Sequence, residues 1–142
     1  MKVCVYGAGA IGAHLAVLLH KAGVDVSVVA RGAHLEAIKS NGLKMIIKYE
    51  ELVARLPAAK EPAELGSHDY VIVAVKSHQA WDAAEHMVPL LGPNTHVVTA
   101  QNGIPWWYFH GLKGPWEDKQ LESVDPGGRQ WNALGPQRAI GC

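Results

Sequence analysis

An α/β fold with a doubly wound, mostly parallel sheet and helices on both faces is predicted by three features of this sequence. Short apolar, β-branched runs recur at residues 2–6, 25–30, 71–75 and 95–100. Helix-compatible stretches separate them, and glycine-rich or polar segments follow their ends. Strands that alternate with helices imply crossover connections, and crossovers join parallel strands.

The first run, Lys2 to Tyr6, leads straight into Gly7, Ala8, Gly9, Ala10, Ile11 and Gly12. Strand, G-x-G-x-x-G turn and helix in this order predict a Rossmann-like dinucleotide site. Gly7 permits the tight turn, Gly9 lets backbone amides approach a pyrophosphate, and Gly12 lets the helix pack closely on the strand. The unpaired N–H groups of the helix's first turn, carrying about half a unit of positive charge, then face the phosphates. A Gly/Ala-rich turn that binds nothing is the alternative. Within the helix, Ile11, Leu15, Leu18 and Ala22 form one apolar stripe expected to face the sheet, and Gly23 ends it.

Asp25 to Ala30 read as the second strand, with Arg31 at its tip. A site specific for NAD places an acid there to hold the adenine ribose. Asp25 lies at the wrong end of the strand and Glu36 too far beyond it. A guanidinium, always charged and offering a flat fork of donors, suits a 2′-phosphate instead, so the expected cofactor is NADP(H). Leu35 and Ile38 mark a short helix stopped by Ser40, Asn41 and Gly42. Strands follow at 43–48 and 52–56, and 57–62 reads as loop.

Val71 to Val75 form an unbroken apolar run, expected of a strand covered on both faces. Lys76, Ser77, His78 and Gln79 follow it. Ligands of such sheets bind outside the carboxyl ends of the strands, so Lys76 and Gln79 are placed to touch the cofactor. Trp81, Ala84, Val88 and Leu91 suggest the next helical stripe, with Pro89 forcing an end near Val88. The strand from Thr95 to Ala100 ends in Gln101, Asn102 and Gly103. Asn102, both donor and acceptor, is placed to reach the nicotinamide ribose or a substrate hydroxyl. Beyond Gly103 the chain turns aromatic and rich in Gly and Pro.

Composition narrows the classes. A chain of 142 residues buries about two-thirds of its unfolded surface, enough for one core, so one domain over residues 1–142 is expected. Thirteen basic and 13 acidic residues leave no net charge, which argues against nucleic acid as partner. The uncharged stretch 3–19 is too short to span a membrane, which needs roughly 20 residues, and is broken by glycines. Two cysteines, Cys4 and Cys142, at opposite ends of the chain point to a reduced, cytoplasmic protein. Eight histidines show no metal-ligand spacing, and no metal is expected. His78 has no identifiable carboxylate partner and reads as a bystander. The aromatic run Trp106, Trp107, Tyr108 and Phe109 is expected to pack against the protein rather than stack on a ring.

With GAGAIG, Arg31, AVKSHQ and QNGIP in place, the chain resembles ketopantoate reductases (2-dehydropantoate 2-reductases). The resemblance reaches on through Ser123, Val124, Asp125, Pro126 and Gly127 to Ala139, Ile140, Gly141 and Cys142. It implies that residues 7–12 hold the cofactor pyrophosphate, Arg31 the 2′-phosphate, Lys76 and Gln79 the cofactor, and Asn102 both cofactor and substrate. It also implies reduction of a 2-oxo acid, ketopantoate, to pantoate with NADPH on the way to coenzyme A. In that family a helical second domain supplies a lysine acid and a substrate-binding glutamate. Neither has a counterpart here, so the catalytic residues stay unassigned and this stretch alone is expected to bind NADPH without appreciable turnover. A non-catalytic NADP-binding or redox-sensing module, and a reductase of another 2-oxo acid, are the alternatives. A small 2-oxo acid is the expected partner, and a homo-oligomer is compatible with the sequence.

Overall fold

A computed structural model of the chain describes residues 1–141. Six strands form one parallel sheet: β1 (Lys2–Tyr6), β2 (Asp25–Val29), β5 (Ala58–Ala59), β6 (His68–Val73), β7 (Leu91–Thr99) and β8 (Ala139–Ile140), in the order β5-β2-β1-β6-β7-β8. Every pairing in it is parallel. A separate antiparallel hairpin, β3 (Leu43–Ile47) with β4 (Glu50–Ala54), is inserted before β5. The chain runs outward from β1 to β5 on one side, then crosses to β6 on the other. The crevice between β1 and β6 is therefore the point where strand order reverses, and in open α/β sheets that is where ligands sit.

Four helices cover the two faces. On one side α1 (Ala10–Lys21), α2 (Gly32–Asn41) and the inner face of the hairpin close over Val5, Val26 and Val28. On the other, α3 (Ser77–Met87) and α4 (Arg129–Leu134) close over Cys4, Val71, Val73 and Val97. Central strands buried on both faces must be apolar at every position, which is why β1 reads as a continuous run rather than an alternation. In the hairpin only one face is covered, and the alternation returns: Leu43 and Met45 are buried while Lys44 and Ile46 face water.

Several elements differ from the sequence reading. The buried face of α1 is Gly12, Ala16 and Val17, whereas Ile11 and Leu18 are exposed. The helix start is pulled tight against the glycine turn, and only a face of small residues allows that approach, so the larger side chains are displaced outward. Residues 57–62 hold the two-residue strand β5, formed when Val28 and Ala30 donate to the carbonyls of Pro57 and Ala59. The third apolar run begins earlier, at His68, and ends at Val73. Leu91 belongs to β7 rather than to a helical stripe, and Val88 is exposed; α3 stops at Met87, and a single 3₁₀ turn spans Val88–Leu90. Its buried residues are Ala80, Ala84 and Met87.

The Gly/Pro-rich tail folds back on the sheet. Trp106 is buried against Trp131 of α4, edge to face at 6.4 Å between ring centres. Tyr108 is exposed, so the aromatic run packs only in part. The start of α4 is held by buried Asp125, whose carboxylate accepts the backbone N–H groups of Gln130 and Trp131, each at 2.9 Å. Arg138 anchors β8 by donating to the carbonyls of Gly92, Pro93 and Thr95 at the start of β7. Cys142, expected to be a reduced terminal thiol, lies outside the described residues.

Candidate functional site

The strand register sets one edge of the sheet. Val29, Tyr6, Val73 and Thr99 lie in a row across β2, β1, β6 and β7. Backbone bonds extend that row by one step: Gly7 donates to Val29, Ala74 to Tyr6, and Ala100 to Val73, at 2.9–3.0 Å. The glycine turn, Arg31, Lys76 and Asn102 all leave the sheet at this edge. The two loops flanking β6 and β7 are tied together as well, because the Gln101 side chain donates to the Val75 carbonyl at 2.6 Å.

The three glycines of the turn meet three different surroundings. Gly7 has φ +101°, and a Cβ there would lie 2.6 Å from Val75 Cγ1 and 3.2 Å from the Val75 nitrogen. A Cβ on Gly12 would fall onto the carbonyl oxygen of Gly7 and lie 3.1 Å from Ala74 Cβ, so helix and turn touch through backbone. Around Gly9 nothing lies within 4 Å of the corresponding position. Gly9 is also the N-cap of α1, with extended backbone, no side-chain cap and no acid in the helix's first turn. The amides of that turn are thus left without an intramolecular anion, and the way to them is open. Ala8 is buried, whereas Ala10 and Ile11 are exposed at the mouth of the turn.

Arg31 is the N-cap of α2, exposed, and its guanidinium makes no hydrogen bond or ion pair with any described residue. Burial pushes the Tyr6 phenol up, and the charge of Arg31 acts in the opposite direction, which puts the guanidinium within electrostatic reach of the strand that feeds the glycine turn. Asp25 is paired in register with Lys2 at the far end of the strand. One residue escaped the sequence reading: His34, in the first turn of α2, donates from Nε2 to the Ala8 carbonyl at 2.9 Å and ties α2 to the glycine turn. Its position three residues after Arg31 is the only signal for it.

Lys76 caps α3 and is exposed, Gln79 is half-buried in the first turn of α3, and Asn102 is exposed beyond β7. None of the three side chains is engaged by another described residue, so all remain free for a ligand. Beside Asn102 opens a small cleft lined by Ser77, Ile104, Trp106, Val124 and Gln130, with about 300 Å³ of empty space including its mouth. A broader hollow by Ile38, Arg55 and Pro57 lies at the amino end of β5, away from this edge. Among the described residues, no group of three His, Cys, Asp or Glu is arranged to hold a metal ion, and no helix is long and apolar enough to cross a membrane.

Residues 3–105 match the family described as ketopantoate reductase PanE/ApbA. The chain belongs to the ketopantoate reductase family. It is 55% identical to a 2-dehydropantoate 2-reductase of Mesorhizobium japonicum over 142 residues, covering 99% of this chain and 44% of that protein. A 2-dehydropantoate 2-reductase of Pyrococcus abyssi is 36% identical over 107 residues, covering 73% of this chain and 34% of that protein. Among solved structures, a putative ketopantoate reductase from Ralstonia solanacearum MolK2 superposes with a TM-score of 0.93 at 40% identity, covering 99% of this chain and 43% of that one. The chain thus spans less than half the length of these relatives.

Two polar chains in this ketopantoate reductase domain serve its frame rather than its edge. His68 donates from Nδ1 to the Gly66 carbonyl at 2.8 Å, which leaves Nε2 to accept from Ser27 at 2.7 Å. Burial holds the His68 imidazole below its ordinary value and pushes the neighbouring Cys4 thiol up to about 12. A thiol so protonated is no nucleophile. On the α3 side, Glu61 accepts from His86 Nε2 at 2.9 Å and His86 Nδ1 accepts from the Tyr6 hydroxyl at 2.7 Å, pinning the β5–β6 connection to β1. The hydrogen bond from His86 holds the Glu61 carboxyl below its usual range.

Proposed function

We propose that this domain binds NADP(H) along the edge formed by the glycine turn, Arg31, Lys76 and Asn102, as the cofactor half of a reductase of 2-oxo acids, with ketopantoate as the substrate. The observation that carries the reading is the uncapped start of α1. Its first-turn amides have no side-chain partner, the space beside Gly9 is open, and the next strand over ends in an unengaged guanidinium. A diphosphate satisfies the amides and a further phosphate the arginine. Residues 7–12 hold the diphosphate, Arg31 the 2′-phosphate, Lys76 a ribose or phosphate of the cofactor with Gln79 beside it, and Asn102 both cofactor and substrate.

When bound, the reduced nicotinamide supplies a hydride to the substrate's carbonyl carbon. Asn102 is the residue of this chain that would meet the nicotinamide ribose or the substrate, its carboxamide able to donate and accept at once. Two cysteines widely separated in sequence, one of them a protonated buried thiol, fit a reducing cytoplasmic setting.

Calorimetric titration of the protein containing this chain with NADPH and NADH tests the cofactor. A charge-assisted contact to phosphate is worth about 1.5–3 kcal/mol, or roughly ten- to a hundredfold in affinity. NADPH is expected to bind tighter by that factor and Arg31→Ala to abolish the preference. Equal affinities in the unmodified protein remove Arg31 from the site. Loss of NADPH absorbance on adding ketopantoate tests the reaction.

A further inference from the structure

The carbonyls of the glycine turn are held by different means. A Cβ on Gly12 would fall onto the Gly7 oxygen, so that carbonyl is turned toward the start of α1. The Gly9 oxygen accepts from the Ala13 amide at 2.7 Å. Neither arrangement needs a side chain. The Ala8 oxygen is the exception, because its partner is the imidazole of His34 in the first turn of α2, whose Nε2–H donates to it at 2.9 Å. A carbonyl has no proton to give, so this nitrogen is the donor whatever the charge of the ring.

The consequence falls on the next amide. In a trans peptide the C=O and the following N–H point in opposite directions, and no described peptide bond is cis. Holding the Ala8 oxygen toward α2 therefore turns the Gly9 N–H away from α2, and that N–H has no backbone partner among the described residues. Gly9 has φ −68° and nothing within 4 Å of where a Cβ would lie. A half-turn of the Ala8–Gly9 peptide would carry that φ into the positive region, which glycine enters at little cost. The flip would put a carbonyl oxygen where the amide stood and set its negative end against a bound diphosphate. With His34 gone, the oxygen of buried Ala8 loses its donor, which favours the flip. Glycine, needed at this position for close approach, offers no resistance of its own. His34 supplies the restraint from outside the turn, and buried Leu35 and Ile38 hold its helix in the core.

We propose that His34 is a positioning residue for the cofactor's diphosphate: it locks the Ala8–Gly9 peptide so that the Gly9 amide is set for the ligand before binding. This role rests on the reading of the edge as an NADP(H) site. The diphosphate is common to both coenzymes, so His34 governs the affinity for NADPH and NADH alike, whereas Arg31 acts on the 2′-phosphate that only one of them carries. Two side chains three residues apart at one helix start thus have separable effects.

Calorimetry on the full-length protein that contains this chain compares His34→Ala, His34→Gln and Arg31→Ala. The ligands are NADPH, NADH and 2′-AMP, which keeps the adenosine and the 2′-phosphate but lacks the diphosphate. If the binding-competent orientation of the peptide drops to about a tenth of the population, affinity falls about tenfold. His34→Ala is expected to lose that factor equally for NADPH and NADH while 2′-AMP binds as before, which also shows that α2 is intact. His34→Gln, whose carboxamide nitrogen donates from a similar reach, is expected to restore both coenzymes. Arg31→Ala should give the converse pattern, weakening NADPH and 2′-AMP but not NADH. Unchanged coenzyme affinities in His34→Ala overturn the proposal. So does a loss confined to NADPH and 2′-AMP, which makes His34 a second contact to the 2′-phosphate. A loss shared by all three ligands, or one that glutamine does not restore, makes it an adenosine contact or a support of α2 and overturns the proposal too. If the unmodified protein binds neither coenzyme, the cofactor reading itself has failed, an outcome distinct from tight binding that ignores His34.

Discussion

Replacing Gly9 and Gly12 separately by alanine should split cofactor binding from folding. At Gly9 the backbone is extended with φ −68°, a conformation any residue adopts, and an added Cβ meets nothing within 4 Å. Losing a glycine from the unfolded ensemble stabilises by about 0.4–1 kcal/mol, and losing it from a helix N-cap costs a similar amount. With an unfolding entropy near 2 cal/mol/K per residue, 1 kcal/mol corresponds to roughly 3 °C at this length, so Gly9→Ala should keep its Tm within about that margin. Its methyl group nevertheless projects where a diphosphate must approach the first-turn amides, and NADPH affinity should fall at least about tenfold. At Gly12 the added Cβ lands on the Gly7 carbonyl oxygen, and relief requires moving α1 off the sheet. Overpacking against backbone costs about 1–3 kcal/mol, and the gain in helix propensity of about 1 kcal/mol offsets only part of it. Gly12→Ala should therefore lower Tm by several degrees and weaken NADPH as well. Thermal melting and calorimetry read both effects. Unimpaired NADPH binding by Gly9→Ala refutes the backbone cradle, and an unchanged Tm for Gly12→Ala refutes the close contact between helix and turn.

Two further expectations concern the frame. Asp125→Ala removes the carboxylate that caps α4 and leaves the Gln130 and Trp131 amides without their acceptor. A loss of about 1–2 kcal/mol, seen as a lower urea midpoint, is expected, and Asp125→Asn should recover part of it. His68 is held neutral by burial, below its ordinary value of 6.5. As pH falls past 6.5 the unfolded chain takes up this proton before the folded one does, so stability should decline from about pH 6.5 downward and be fully present above it. Urea midpoints between pH 5 and 8 check the sign, and His68→Gln should reduce the slope.

The geometry of the glycine turn was legible because backbone chemistry dictates it. A turn that needs positive φ at its first position, open space at its third and helix-to-strand contact at its sixth admits little but glycine at those places. The polar residues following each apolar run lie within three residues of the strand ends. Packing was less legible. The stripe of Ile11, Leu15, Leu18 and Ala22 is the more hydrophobic face of α1, but the tight approach through Gly12 and Ala16 decides which side meets the sheet. Strand β5 spans two alanines and is created by its neighbour's hydrogen-bonding needs rather than by its own residues. His34 and Gln101 act through bonds to backbone carbonyls of distant loops, and no local pattern announces such bonds.

The architecture also divides the edge into two parts with different constraints. Everything from Val3 in β1 through Asn102 lies within residues 3–105, the stretch matched by the family as a whole. The groups that would meet a diphosphate there are backbone amides, whose chemistry does not depend on which substrate is processed. Val124 and Gln130, by contrast, come from beyond residue 105, as does Trp106, and they line the cleft only because Asp125 starts α4 beneath it and Trp131 braces the indole. A change in this tail can reshape the cleft beside Asn102 without disturbing the helix start or Arg31.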